Sequence, residues 1–208
     1  MIEAAPGLAD PRRLRRIQGS VVFCLTAAAW CTASAAVERY RIDPDHTFVH
    51  FAVLHTGVSS VRGRVGGAKG TATLDAERQS AEVAVEIDLR TLDTGVKKLD
   101  ATLSGELFFD VARHRSARFS ARAVQFHDGV PTEFEGELTL RGVTRPLRLS
   151  AERFVCKEVK ILALKRFVCG GDLHATLNRA EFGLDEYLTM ISDEVRLSIS
   201  VEAIREGP

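Results

Sequence analysis

The chain has 208 residues, with 28 basic and 28 acidic side chains and six histidines, so it is formally neutral at pH 7. That balance argues against a nucleic-acid partner, which requires a basic patch or stripe. With 45% hydrophobic residues the length suits one domain with a workable core.

Residues 1–36 read as a secretory signal rather than as part of that domain. Arg12, Arg13, Arg15 and Arg16 precede an uncharged stretch from Gly19 that ends in the small residues Ala33, Ser34, Ala35 and Ala36, which is the basic, apolar, small order of a cleaved signal. Cleavage is expected near Ala35 or Ala36, giving a periplasmic or secreted chain over 37–208. A membrane anchor would need about 20 mainly apolar residues, and this stretch is shorter and rich in Ala, Thr and Ser. Bulky Phe23 and Trp30 ahead of Cys24 and Cys31 argue against lipid attachment there. Taking four Arg and two acidic residues away from 28 of each leaves 24 basic and 26 acidic in the remainder.

Beyond that point the dominant signal is alternation. Tyr40–Ile42 starts a short strand, and Asp43-Pro44-Asp45 turns the chain, because Pro fixes φ and Asp bonds its own backbone. Val49, Phe51 and Val53 alternate along 47–55 and put His55 on their face. A glycine-rich stretch from Gly57 to Gly70 leads into strand again by Leu74. Val83, Val85, Ile87 and Leu89 then alternate with Glu82, Glu86 and Asp88. Period two breaks at Thr91–Leu103, where Val96, Leu99 and Leu103 recur at helical spacing and Asp93 or Thr94 is placed to cap; this predicts one short helix near 94–103. Leu107-Phe108-Phe109 is too apolar for a solvated loop and is expected to pack across one end of the sheet.

Four more alternating runs follow, at 117–126, 133–141, 143–155 and 170–178, and a last one at 193–204. Each has a greasy and a charged face, as an antiparallel sheet wetted on one side requires. With so few helical residues to cover it, the sheet must close into a barrel or pair into a sandwich. The count of eight or nine strands matches a barrel whose interior is either filled by side chains or holds one small ligand. Small residues on the inward positions, Ala121, Ala123, Ala151, Ala175 and Gly136, leave volume that a ligand or large neighbours such as Phe119 and Phe134 must fill; composition leaves the two readings level.

Of the four cysteines, Cys156 and Cys169 fall in the mature region. An even count in an oxidising compartment makes a disulfide the leading reading. A redox-active pair is the alternative, against a spacing far wider than C-x-x-C and no helix N-terminus to activate a thiolate. The segment between them reads as a basic, turn-like loop.

Ten ordered stretches carry a more specific signal. Tyr40-Arg-Ile-Asp-Pro-Asp-His46, His55-Thr-Gly-Val-Ser, Val61-Arg-Gly-Arg64, Asp93-Thr-Gly95, Leu99-Asp-Ala-Thr-Leu103, Phe108-Phe-Asp-Val111, Gly136-Glu-Leu-Thr-Leu140, Gly142-Val-Thr-Arg-Pro146, Asn178-Arg-Ala-Glu-Phe-Gly183 and Ser192-Asp-Glu-Val195 together resemble the YceI-like family of secreted bacterial proteins. The resemblance spans 38–204. It implies an all-β, eight-stranded extended antiparallel lipocalin-like barrel, hollow, enclosing a long apolar ligand such as a polyisoprenoid or fatty-acid derivative. The Cys156 and Cys169 insertion resembles a subset of that family, and Arg141 stands where the family often has His.

The expectation is therefore a non-catalytic binding protein that sequesters or carries an amphiphilic lipid. The ligand site is expected from Phe51, Val53, His55, Phe108, Phe109, Phe119, Ala121, Ala123, Leu138 and Leu149, with the head group near His55 and the cations Arg62, Arg64, Lys97 or Lys98. Asn178, Arg179 and Glu181 are assigned to local hydrogen bonds at a strand end. No metal or other cofactor is expected, since His46 and His50 share a strand parity that His55 lacks. No catalytic residue is expected either, in the absence of G-x-S-x-G, H-E-x-x-H or a phosphate loop opening a helix. The alternatives are an enzyme acting on a lipid or prenyl substrate, and a structural or stress protein with a filled barrel. An outer-membrane barrel would need aromatic girdles, and only Tyr40 and Tyr187, with no Trp, follow residue 36. Transient membrane contact and pairing of two barrels complete the expected partners.

Overall fold

The computed structural model describes residues 37–161 and 163–207, so the expected signal segment lies outside the described residues. The alternating runs become nine strands: β1 (Glu38–Ile42), β2 (Phe48–His55), β3 (Ser59–Asp75), β4 (Ser80–Asp93), β5 (Ser116–His127), β6 (Val130–Leu140), β7 (Val143–Ile161), β8 (Leu164–Asn178) and β9 (Ile191–Arg205). Among the described residues one helix, α1 (Lys97–Ser104), follows β4, and a 3₁₀ turn (Arg179–Phe182) follows β8.

All strand pairs are antiparallel, and the ring closes because β3 pairs with β4 as well as with β2. The ambiguity between eight and nine strands has a concrete origin. β1 and β2 share one slot between β3 and β9: β1 bonds the far stretch of both (Tyr40 opposite Ala72 and Arg205), and β2 the near stretch (Val53 opposite Val61 and Val195). Asp43-Pro44-Asp45 is the turn between them. Nine strands thus fill eight positions, the number at which a barrel is just wide enough for side chains or one small ligand.

The outer face carries charges in register. Glu86 and Arg118, Glu135 and Arg148, and Asp172 and Arg153 are cross-strand neighbours joined at 3.1, 2.8 and 3.1 Å. Exposed pairs of this kind contribute about 0–1 kcal/mol each; their larger effect is on register, since a slip of one residue would turn them inward.

Three elements differ from expectation. The glycine-rich stretch is itself strand from Ser59 onward, part of the 17-residue β3. The helix starts at Lys97, its N-cap Val96 offers no side-chain cap, and Asp93 is still strand. Thr94 is used otherwise: its hydroxyl and N–H both donate to Asp100, at 2.6 and 2.7 Å, which ties the strand end to the first turn. Between the cysteines there is no loop. β7 and β8 continue as a two-stranded ladder to Ile161 opposite Leu164, and the β-branched Val155 and Val159 suit that extended backbone.

Cys156 and Cys169 sit directly opposite each other in that ladder and form a disulfide, with Cα atoms 4.0 Å apart. Cutting a crosslink across 13 residues removes about 3 kcal/mol in the chain-entropy model. The double replacement Cys156→Ser, Cys169→Ser is therefore expected to lower the thermal midpoint on the order of 5–10 °C. The same loss should follow reduction of the unmodified chain, read by circular dichroism.

Candidate functional site

The two ends of the barrel are built differently. At one end β1 lays Tyr40 and Ile42 into a small cluster with Ala68, Leu74, Ala81, Cys169 and Ala203, all buried. The Tyr40 hydroxyl donates to Glu38, Arg205 donates to the same carboxylate at 2.7 Å, and its guanidinium lies 4.5 Å over the Phe167 ring. Burial, then the bond to Glu38, pushes the Tyr40 phenol well above its ordinary value. This end is shut.

The other end is where the β2–β3 turn, α1 with the following turn, the β6–β7 turn and the β8–β9 connection gather. Phe108 and Phe109 do cross it, as their apolarity required: Phe108 is buried and stacks on Tyr187 at 6.4 Å, and Phe109 meets Phe51 at 6.5 Å. Arg141 ties these pieces together, donating to the Gly183 carbonyl and, at 3.2 Å, to that of Glu106.

Between the ends lies an apolar cavity of about 710 Å³, inside the range of about 300–1,000 Å³ usual for small-molecule sites. Val49, Phe51, Val53 and His55 from β2, Val83, Val85 and Ile87 from β4, Phe119 from β5, Leu138 from β6, Leu149 from β7 and Leu197 and Ile199 from β9 face it. Leu99 and Leu103 from α1 and Phe108 and Phe109 close over it. Tyr187 and Met190 line it and are also half exposed, so the cavity reaches solvent beside them. Phe51 reaches inward over Gly63 opposite it; a Cβ there would lie 2.4 Å from the ring. The glycine in that stretch is thus room for an aromatic, not slack.

Eight of the ten residues expected to form the ligand site line this cavity: Phe51, Val53, His55, Phe108, Phe109, Phe119, Leu138 and Leu149. Ala121 and Ala123 do not. Both have inward parity and pack on the core, but the space around them is taken by protein. A Cβ on Gly136 would sit 2.1 Å from the Ser120 carbonyl oxygen and 2.4 Å from the Ala121 Cβ, so β5 and β6 approach too closely for larger side chains. Ala123 lies opposite Phe134, whose ring packs against Phe154 at 6.3 Å. Ala121 and Gly136 border a shallow depression spanning β3 to β6 instead. Small inward residues here mark close strand approach, and Ala151 and Ala175 likewise stay out of the cavity wall.

The four cations expected near a head group do not line the cavity either. Arg62 and Arg64 alternate with the inward Val61 and Val65 and so face outward; Arg64 pairs with Asp93 at 3.3 Å and stacks 5.5 Å over Phe48. Lys97 and Lys98 are exposed on α1. The cation that does line the cavity is Arg179, only 5% exposed. It makes the local bonds expected of it, donating to the carbonyls of Leu184, Ser192 (2.9 Å) and Ile191 (2.9 Å). Burial pulls its pKa below the ordinary guanidinium value, with Asp193 and Asp185 opposing. The 3₁₀ turn after Asn178 buries this Arg together with Phe182, a fold-back that strand periodicity does not announce.

His46 and His50 are exposed, outside the barrel, and His55 is at the mouth. His46, Asp43 and Glu202 bring one donor atom each within 4.8 Å of one another near the shut end, and an ion pair of 3.0 Å joins the first two. The bond to Asp43 and its charge raise the His46 pKa. For Asp43, partial burial pushes upward, but bonds from His46 and the Asp45 N–H outweigh it and the carboxyl ends below its ordinary range. The His46 part of this stabilisation is complete below the ordinary imidazole value and is lost as pH rises through the raised one; the Asp43 part is lost as pH falls through the lowered carboxyl value. The pair therefore acts between about pH 4 and pH 6.5 and somewhat beyond on each side. The His46 ring resonances are expected to titrate above an ordinary His, and Asp43→Asn to return them to it; an unshifted midpoint in the unmodified chain contradicts the pairing.

A closed antiparallel ring around a hydrocarbon-lined hollow, with one end plugged, is the architecture of lipocalin-like barrels. The chain belongs to the YceI-like domain family, which it matches over residues 40–203. It is 31% identical to Protein YceI of Salmonella arizonae over 192 residues, covering 88% of this chain and 96% of that one. Among solved structures it is similar to Burkholderia cenocepacia BcnA (TM-score 0.60, 16% identity, covering 77% of this chain and 98% of that one). The Campylobacter jejuni YCEI protein gives a TM-score of 0.59 at 20% identity, covering 74% and 90%. A polyisoprenoid binding domain from Saccharophagus degradans gives 0.55 at 14% identity, covering 80% and 98%.

Proposed function

We propose that this protein is a non-catalytic carrier that holds one long-chain amphiphile, a polyisoprenoid or fatty-acid derivative, with its tail in the barrel and its head at the mouth. The observation that carries this reading is the cavity wall. It is hydrocarbon over nearly its whole length, and its polar members stand apart: His55, Thr102, Arg179 and the Tyr187 hydroxyl near the mouth, Tyr40, Thr47, Thr73 and Glu82 farther along. An apolar hollow of about 710 Å³ is worth roughly 0.8 kcal/mol for each methylene it takes from water, and a chain of about fifteen carbons gains on the order of 10 kcal/mol before the costs of ordering and association are met. The Saccharophagus relative, described as a polyisoprenoid binding domain, supports the choice of ligand class.

The side chains facing the hollow also favour holding over turnover. Thr47 donates its hydroxyl to a backbone carbonyl, that of Glu202. The Tyr40 hydroxyl does face a carboxylate, but its raised pKa is the opposite of an activated nucleophile. A periplasmic or secreted location is part of this proposal; the signal-like N-terminal sequence supports it, and it suits a ligand that has almost no solubility in water.

Native mass spectrometry of the exported protein, purified without detergent, tests the reading: one bound species with a lipid's mass at unit stoichiometry is expected. Protein that is ligand-free by this measure and takes up no added polyprenyl phosphate or fatty acid contradicts it.

A further inference from the structure

We infer that the rim of the open mouth is a membrane-docking surface, which seats the barrel on a lipid monolayer so that a ligand can pass between bilayer and cavity. The inference rests on the carrier reading for its purpose and on separate observations for the contact itself. Of the eleven large apolar side chains that stand exposed among the described residues, six are at this end: Val58, Val96, Leu107, Tyr187, Leu188 and Met190. They come from three connections, the β2–β3 turn, the segments flanking α1 and the β8–β9 loop.

Contacts between the connections join these tips into one rim. The Thr56 N–H donates to the Met190 carbonyl at 2.6 Å, so the turn bearing Val58 abuts the β8–β9 loop. Phe108, next to Leu107, stacks on Tyr187. Val58 is the extreme case at 83% exposed. It is held out by a tight turn in which Thr56 and Gly57 both adopt left-handed φ, 51° and 68°. Tyr187 also sits at positive φ, 57°, half exposed at the cavity opening. Left-handed backbone at a bulky residue is strained and persists where the surroundings enforce it.

The chemistry of this rim fits a lipid interface better than a protein. Aliphatic side chains on separate loop tips, with an amphipathic Tyr among them, insert into a headgroup layer without a complementary surface. Tyr187 and Met190 belong both to the rim and to the cavity wall, so lipid entering there never crosses open water. Lys97 and Lys98 directly follow Val96, and no ion pair engages either among the described residues. Each such cation is attracted to anionic headgroups, while Asp185 and Glu186 before Tyr187 oppose it. Burial of apolar tips should therefore dominate, with anionic lipid adding to it.

The test uses the exported protein, its N-terminus fixed by mass, with vesicles of phosphatidylcholine alone and with added phosphatidylglycerol. Val58→Trp is expected to shift its emission to the blue and to be quenched by brominated acyl chains, and Val124→Trp, on β5 away from the mouth, to show neither. The pair Val58→Asp, Leu188→Asp lies outside the cavity wall and is expected to lose about tenfold in vesicle partitioning while keeping the same bound lipid by native mass spectrometry. Equal quenching at both Trp positions, quenching at neither, or undiminished partitioning of the Asp pair would overturn the docking surface. Loss of bound lipid from the unmodified chain would instead strike the carrier reading, so the two fail separately.

Discussion

Ile199→Trp is expected to empty the barrel while leaving it folded. Ile199 lies midway along β9, opposite Val49 on one side and Leu173 on the other, and faces the cavity. An indole has nowhere to go but into the hollow, where it displaces part of a tail. Losing room for three or four methylenes at roughly 0.8 kcal/mol each costs about 3 kcal/mol, or on the order of 100-fold in affinity. Ser198→Trp is the matched control. It is one residue away, exposed, and on the outer face between His50 and His174. Native mass spectrometry should find bound lipid in Ser198→Trp and almost none in Ile199→Trp, with the same far-ultraviolet circular dichroism for both. Full retention by Ile199→Trp would mean that the ligand does not use this cavity.

Ile199 shows what periodicity conveys and where it stops. Alternation names the inward face of a strand, and for Phe51, Val53, Phe119, Leu138 and Leu149 inward position and cavity lining coincide. It says nothing of how close the next strand comes. At Ala121, Ala123 and Gly136 the gap that small side chains suggest is closed by the backbone of β5 and by Phe134. Strand boundaries were legible because turns carry their own chemistry, as at Asp43-Pro44-Asp45. The ladder beyond Cys156 was obscured because its cations suggest a solvated loop, whereas a hairpin wetted on one face tolerates them equally well. The mouth was the least legible part. Charge alone singles out Arg62, Arg64, Lys97 and Lys98, yet parity turns Arg62 and Arg64 outward, and the cation buried beside the cavity, Arg179, is set by a fold-back of the chain after β8. Charge and burial together would have been the signal, and burial of an Arg is a tertiary fact.

Arg179→Met is expected to cost the most stability of any single substitution considered. Three carbonyls, of Leu184, Ile191 and Ser192, take their bonds from this one guanidinium. Methionine can fill much of the vacated space but offers them nothing. Each buried acceptor left without a donor costs about 1–3 kcal/mol, and after partial relaxation the sum is about 3–5 kcal/mol, on the order of 10 °C in thermal midpoint for a domain of this length. Arg179→Lys should recover only part of this, because one ammonium on a flexible stem cannot reach three carbonyls with the fixed fork of a guanidinium. The order expected in thermal melts is therefore Arg, Lys, Met, and a Met variant melting within 2 °C or so of the unmodified chain would show that the carbonyls have other partners. The damage should also be local. All three acceptors belong to the segment from Leu184 to Ser192, which carries Tyr187 and Met190 at the opening. Hydrogen exchange should rise first in that segment, and a bound lipid should leave faster, before the ring of strands itself gives way.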